Sequence, residues 1–102
     1  MEITIQSLHF TASPQLNDFV TEKVSKLSHL YDRIESANVS LKLEPATETD
    51  NKLCEIRLAV PGNDVFAKRQ AVTFEEATNE VVDALGRQLV KLKEKASPGK
   101  IV

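Results

Sequence analysis

The side chains best placed to do chemistry in this sequence are cationic. Arg87, Lys91 and Lys95 recur at intervals of four residues, and Lys93 lies between the last two. On a helix, a spacing of four puts all three on one face. Residues 86–102 hold five basic side chains (Arg87, Lys91, Lys93, Lys95 and Lys100) against Glu94 alone, whereas the first 85 residues hold eight basic and fourteen acidic ones. A cationic helix face neutralises phosphates. It is equally an ordinary solvated surface, and the spacing by itself leaves both readings open. Lys23 and Lys26 add to the pattern. Lys23 falls inside an apolar arc, between Phe19 and Leu27. Either its stem lies over the core edge with its head in water, or the head points toward the basic face of the later helix. In the second reading, two helices present one cationic ridge, which Lys68 and Arg69 would extend.

Other chemistries are poorly supplied. His9 and His29 come from different segments, and neither is close in sequence to a nucleophile, so both are expected as solvated side chains. Cys54 sits in the apolar phase of its segment, where a thiol is a small hydrophobe. Two histidines and one thiol leave no nitrogen and sulfur set for zinc. Three scattered glycines give no phosphate-cradling loop. Glu44, Glu48 and Asp50 lack the spacing of a calcium loop. The five aromatics do not repeat along a strand as a base-stacking platform requires. No enzyme, no cofactor, no metal and no small-molecule substrate is expected. Binding to folded RNA by shape and phosphate charge fits better than reading unstacked bases.

The elements that must hold these residues follow from periodicity. Ile3-Thr4-Ile5-Gln6 alternates as a half-buried strand does, and Leu8 and Phe10 fall out of phase, which predicts a bulge or strand end near Ser7. Ser13-Pro14 is a helix start. Leu16, Phe19, Val20, Val24, Leu27 and Tyr31 then make one apolar stripe, predicting a helix over residues 14–31. Val39–Leu43 reads as a second strand and Glu44–Asn51 as a loop. Cys54, Ile56, Leu58 and Val60 mark one face of a third strand, with Glu55 and Arg57 on the other. Pro61-Gly62-Asn63-Asp64 signals a turn, and Val65–Val72 a fourth strand. Thr73 with Glu76 fits a capping box. Ala77, Val81, Leu85, Leu89 and Leu92 carry a final helix to about Ala96, with Gly86 inside it and Ser97-Pro98-Gly99 as its stop.

The order is β-α-β-β-β-α. The predicted fold is α+β, a two-layer sandwich in which both helices cover one face of a four-stranded sheet, close to the order of double-stranded-RNA-binding folds. The helical crossover after the first strand favours parallel pairing. The chain is 102 residues, 41% hydrophobic and 27% charged, with a net charge of −2, which suits one core. A single domain over residues 1–96 is expected, followed by a loose tail at 97–102. Its expected core includes Phe19, Val20, Leu27, Ile56, Leu58, Val81, Leu85 and Leu89. No signal peptide or bilayer span is read, and one cysteine cannot form an internal disulfide, so a cytoplasmic location without membrane contact is expected.

Several stretches resemble a known family. They are Phe19-Val20-Thr21-Glu22-Lys23-Val24-Ser25-Lys26-Leu27, Tyr31-Asp32-Arg33-Ile34, Val39-Ser40-Leu41-Lys42 and, most specifically, Val82-Asp83-Ala84-Leu85-Gly86-Arg87-Gln88-Leu89 continuing through Lys91-Leu92-Lys93. In order and spacing the chain is similar to the short ribosome hibernation-promoting factors, also called ribosome-associated inhibitor or sigma-54 modulation proteins. The likeness runs from Ile3 to about Lys95. It implies the same β-α-β-β-β-α fold and a protein that silences translation in stressed or stationary cells. The implied partner is the small ribosomal subunit with its ribosomal RNA, in the channel used by messenger RNA and tRNA anticodon arms. The implied RNA contacts are Lys23, Lys26, Arg87 and Lys91, with Lys93, Lys95, Lys68 and Arg69 at the margin. A second hibernation factor as a further partner stays open. The chain departs from the family at Thr73-Phe74-Glu75, where members often carry Asp-Met-Tyr. It departs again at Ala84 and Gly86, where lysine and glutamate are common. The dimerising C-terminal domain of long-form members is not expected here.

Two other functions remain open at this level. One is a general double-stranded-RNA binder, which would bind an isolated duplex as well as a ribosome. The other is a protein-interaction module regulating transcription, whose binding would not respond to salt.

Overall fold

Strand alternation and helix caps decide most of the local structure. The computed structural model describes residues 1–44 and 49–96. The elements are β1 (Glu2–Leu8), α1 (Pro14–Ser25), a 3₁₀ turn η1 (Lys26–His29), β2 (Ser36–Leu43), β3 (Lys52–Val60), β4 (Asn63–Ala71) and α2 (Phe74–Ala96). The sheet order is β1-β2-β3-β4. β1 pairs parallel with β2, and β2–β3 and β3–β4 are antiparallel. The helical crossover between β1 and β2 accounts for the one parallel pair.

The pleat gives the sheet two unlike faces. Rows such as Ile5–Val39–Ile56–Ala67 and Ile3–Ala37–Leu58–Val65 lie in register on one face and are buried or half-buried. Rows such as Thr4–Asn38–Arg57–Phe66 lie on the other. α1 packs on β1, α2 packs on β3 and β4, and the helices touch each other. Val20, Val24, Leu27, Val81, Leu85 and Leu89 join Val39, Leu41, Ile56 and Leu58 in one core. This is the expected two-layer sandwich. Phe19 corrects the expected core: it is only half-buried at its edge.

β1 runs through Ser7 without a bulge and ends at Leu8. His9, at φ 71°, then turns the chain. Phe10 stacks on Phe74, ring centroids 4.4 Å apart, and so ties that turn to the start of α2. The β3–β4 connection is shorter than expected. Pro61 and Gly62 alone make the turn, with Gly62 at φ 84°, and Asn63 and Asp64 already belong to β4.

The first helix also differs from expectation. It is α-helical only to Ser25 and tightens into η1 at Lys26. Ser25 Oγ donates to the Glu22 carbonyl at 3.0 Å, and Ser28 Oγ donates to the Ser25 carbonyl at 2.7 Å. Serine hydroxyls that bond back in this way compete with the helix ladder, and a 3₁₀ ending is the common result. Both N-caps are as read from the sequence. Ser13 Oγ accepts from Leu16 N, and Thr73 Oγ1 accepts from Glu76 N, each at 3.1 Å. Within the expected loop, Glu44 N donates to the Asn51 carbonyl at 2.8 Å; residues 45–48, and the expected tail and helix stop at 97–102, lie outside the described residues.

Candidate nucleic-acid interface

α2 is charged in the sense its backbone dipole favours. Glu75 and Glu76 occupy the first turn, and Lys93 and Lys95 the last. Its apolar stripe lies on β3 and β4, which leaves Arg87 and Lys91 exposed on the outer side. There the helix borders η1, and a groove of about 590 Å³ opens between the two. Lys26 approaches it from η1, and Arg87 and Lys91 from α2. Leu27, Leu30, Val82, Gly86 and Val90 form its apolar lining, and Asp83 and Glu94 are the acids beside it. Three of the four principal cations expected from the sequence are thus brought together by two separate elements.

The ion pairs here leave the cations available. Arg87 Nη1 lies 2.8 Å from Asp83 Oδ2, and Lys26 Nζ lies 3.8 Å from Glu22 Oε1. All four side chains are more than half exposed. Pairs of this kind contribute about 0–1 kcal/mol, so a phosphate can replace the carboxylate at little loss. Among the described residues, Lys91, Lys93 and Lys95 form no ion pair.

The remaining candidates are spread around this groove. Lys95 shares a smaller hollow of about 210 Å³ with Lys91, Asn63 and Asp64, so Lys91 borders two concavities. Lys93 faces a cavity of about 440 Å³ formed with Ser28, His29, Tyr31, Asp32 and Arg33. Arg33 is therefore a cation that spacing did not single out, because it sits in the turn after η1 where no periodicity applies. Lys23 does not line the groove. Its Nζ lies 5.4 Å from the centroid of the Phe19 ring, and the residue is half-buried. This is the reading in which the stem covers the core edge, with a cation–π contact holding the head.

Lys68 and Arg69 do not extend one ridge together. Adjacent strand residues point to opposite faces. Arg69 is in phase with Ala67 and Ala71 toward the helices, whereas Lys68 stands with Phe66 and Gln70 on the open face, opposite Glu55. Lys68 is corrected to a position across the sheet from the groove.

Cys54 is fully buried. Burial pushes its pKa from 9.0 up to about 11, against the smaller opposing effect of Thr78, whose Oγ1 donates to Sγ at 3.7 Å. A thiol so placed is a core residue and no nucleophile. Among the described residues, no three of His, Cys, Asp and Glu are grouped to hold a metal ion.

The chain is thus a two-layer α+β protein with a cation-lined groove between its helix-side elements. The chain belongs to the Sigma 54 modulation protein / S30EA ribosomal protein family, whose model matches residues 3–97. Its relatives include the ribosome hibernation promoting factors of Klebsiella oxytoca and Escherichia coli strain K12. Each is 33% identical over 95 residues, 93% of this chain and 96% of the relative. The Pseudomonas putida ribosome hibernation promoting factor is 30% identical over 93% of this chain and 89% of its own length. The fold is similar to that of the N-terminal domain of Thermus thermophilus Protein Y (TM-score 0.78, 22% identity, 90% of this chain and 99% of that one). It is also similar to a ribosomal subunit interface protein from Coxiella burnetii (TM-score 0.81, 18% identity, 91% and 98%).

Proposed function

We propose that this chain is a ribosome hibernation factor that occupies the messenger RNA and tRNA channel of the small ribosomal subunit and so stops translation under stress. The observation that carries this reading is the groove on which Lys26, Arg87 and Lys91 converge, in a chain of this family. The groove supplies exposed cations to phosphates. Lys93 with Arg33 and Lys95 would add contacts around its margin, and Arg69, on the helix side of β4, would meet RNA apart from it. Lys23 would meet RNA from the α1 side, its head already set over Phe19. The protein acts by occupancy: it excludes messenger and tRNA from the channel and has no bond to make or break. The reading needs no cofactor, metal or small-molecule substrate. Residues 1–96 would be the ribosome-binding domain, and the ribosome as partner would place the protein in the cytoplasm. No described helix is long and apolar enough to cross a membrane.

The test is binding to small subunits, with inhibition of cell-free translation, across a salt series. Phosphate contacts release counterions, so affinity should fall steeply as salt rises. Arg87→Ala and Lys91→Ala should each weaken binding and inhibition, and lower the salt slope by about one unit. Lys52→Ala is the control. Lys52 opens β3 opposite Ala71, at the end of the sheet where α2 begins, far from the groove along that helix. Equal binding by Arg87→Ala, Lys91→Ala and the parent would remove the groove from the RNA interface. Comparable binding to an isolated RNA duplex would favour a general duplex binder, and salt-insensitive binding a protein-interaction module.

A further inference from the structure

The groove has a second chemical character that phosphate binding does not use. Among the described residues, Leu30 and Val90 are two of six exposed large hydrophobic residues, at 39% and 42%, and both line this groove. Leu30 comes from the end of η1 and Val90 from α2, so packing alone places the pair together. Gly86 is buried against Leu30, and a β-carbon there would lie 3.3 Å from Leu30 Cδ1. Aliphatic side chains that share one groove with three cations offer a ligand apolar contact as well as charge.

We propose that Leu30 and Val90 form an apolar seat for the sugar and base of one unpaired nucleotide, whose flanking phosphates are held by Lys26, Arg87 and Lys91. The proposal rests on the reading of the groove as an RNA-binding site and adds what part of the RNA enters it. Charge complementarity selects RNA as the occupant. The rim carries three cations against Asp83 and Glu94, the Arg87–Asp83 and Lys26–Glu22 pairs are exposed and exchangeable for phosphate, and the groove adjoins Lys95 and Lys93. A duplex keeps its bases stacked and paired, so their flat apolar faces are not free to lie on Leu30 and Val90. An unpaired nucleotide can turn its apolar faces onto Leu30 and Val90 while its phosphates stay at the rim. The seat therefore confers a preference for unpaired over paired RNA that the cations alone cannot give, because phosphate charge is common to both.

The test uses the full chain. Affinity is measured for small subunits, for a single-stranded RNA oligonucleotide and for a blunt duplex of the same length, with the parent, Val90→Ser and Arg87→Ala. Val90→Ser is chosen because Val90 is exposed and its replacement leaves the core intact; Leu30→Ser is a second variant, checked for folding by circular dichroism. The parent should prefer the single strand. Val90→Ser should lose affinity for the single strand and for subunits by roughly three- to tenfold, as lost apolar burial predicts. It should keep its duplex affinity and an unchanged salt slope, because no phosphate contact is lost. Arg87→Ala should instead lower the slope on every RNA. If Val90→Ser and Leu30→Ser bind all three like the parent, or if the parent binds duplex and single strand equally, the seat is overturned while the cationic rim stands. If Arg87→Ala is also without effect, the RNA reading of the groove fails with it. A photoreactive benzoylphenylalanine in place of Val90 separates the occupants: crosslinking to RNA supports the seat, and crosslinking only to a ribosomal protein overturns it.

Discussion

A β-carbon built on Gly86 would stand 3.3 Å from Leu30 Cδ1. That distance relates the middle of α2 to the end of η1, which meet closely at this point. Interior glycine is less favourable than alanine by roughly 1 kcal/mol, and the neighbour that a methyl group would meet is the free end of a flexible side chain.

Gly86→Ala should be tolerated. Leu30 is 39% exposed, so its tip can move by a few tenths of an ångström into solvent. The gain in helix propensity should then win, raising the unfolding free energy by roughly 0.5 kcal/mol. Urea denaturation measures this. A loss above about 1 kcal/mol would mean that Leu30 is held rigidly and that overpacking dominates.

Leu89→Ala should be among the most damaging substitutions. Leu89 is fully buried in the core between α2 and the sheet. Its truncation should cost about 2–5 kcal/mol by lost transfer energy and the cavity left behind. The same urea titration reads it, and a loss under 1 kcal/mol would contradict the packing described for α2.

Cys54 should resist a thiol reagent in the native protein at neutral pH and react rapidly once the chain is unfolded. Its folded pKa of about 11 lies above the ordinary 9.0, so between these values the unfolded chain has lost a proton that the folded chain retains. Stability from this group is complete below about pH 9 and declines as pH rises toward 11. Unfolding measured from pH 8 to pH 11 should show the decline in the parent and a smaller one in Cys54→Ala. Fast native labelling at pH 7 would contradict the burial.

Charge reversal on β4 should separate the two faces of the sheet. Lys68→Glu, on the open face, should leave small-subunit affinity within about twofold of the parent. Lys91→Glu, at the groove, should reduce it by well over tenfold and flatten the salt dependence. A larger effect from Lys68→Glu than from Lys91→Glu would move the RNA interface to the open face of the sheet.

Local patterns in the sequence are sufficient for most of the fold. The alternation at Cys54, Ile56, Leu58 and Val60 sets which face of β3 is buried, because side chains on a strand repeat every two residues whatever packs on them. Ser13 and Thr73 fix the helix starts because a hydroxyl N-cap is satisfied within four residues of itself. The β-α-β-β-β-α order then leaves few ways to cover one apolar sheet face. The opposite directions of Lys68 and Arg69 were also legible from the strand period.

The candidate site was legible only along each element. Periodicity puts Arg87, Lys91 and Lys95 on one side of α2, and the sequence determines no more than that. Which neighbour faces that side is decided by the packing of α1 and η1 against α2. The same packing brings Lys26 to Arg87 and Lys91 and places Arg33 beside Lys93, whereas Lys23 meets Phe19 four residues away on α1 itself, a local contact. The apolar floor is further still from local inference. Leu30 and Val90 are sixty residues apart in the chain, and each alone would read as a stray surface hydrophobe. Helix period and capping arise from contacts three or four residues apart, so the sequence specifies them directly. Exposure and lateral position arise from contacts between elements, and these exist only once the core has closed.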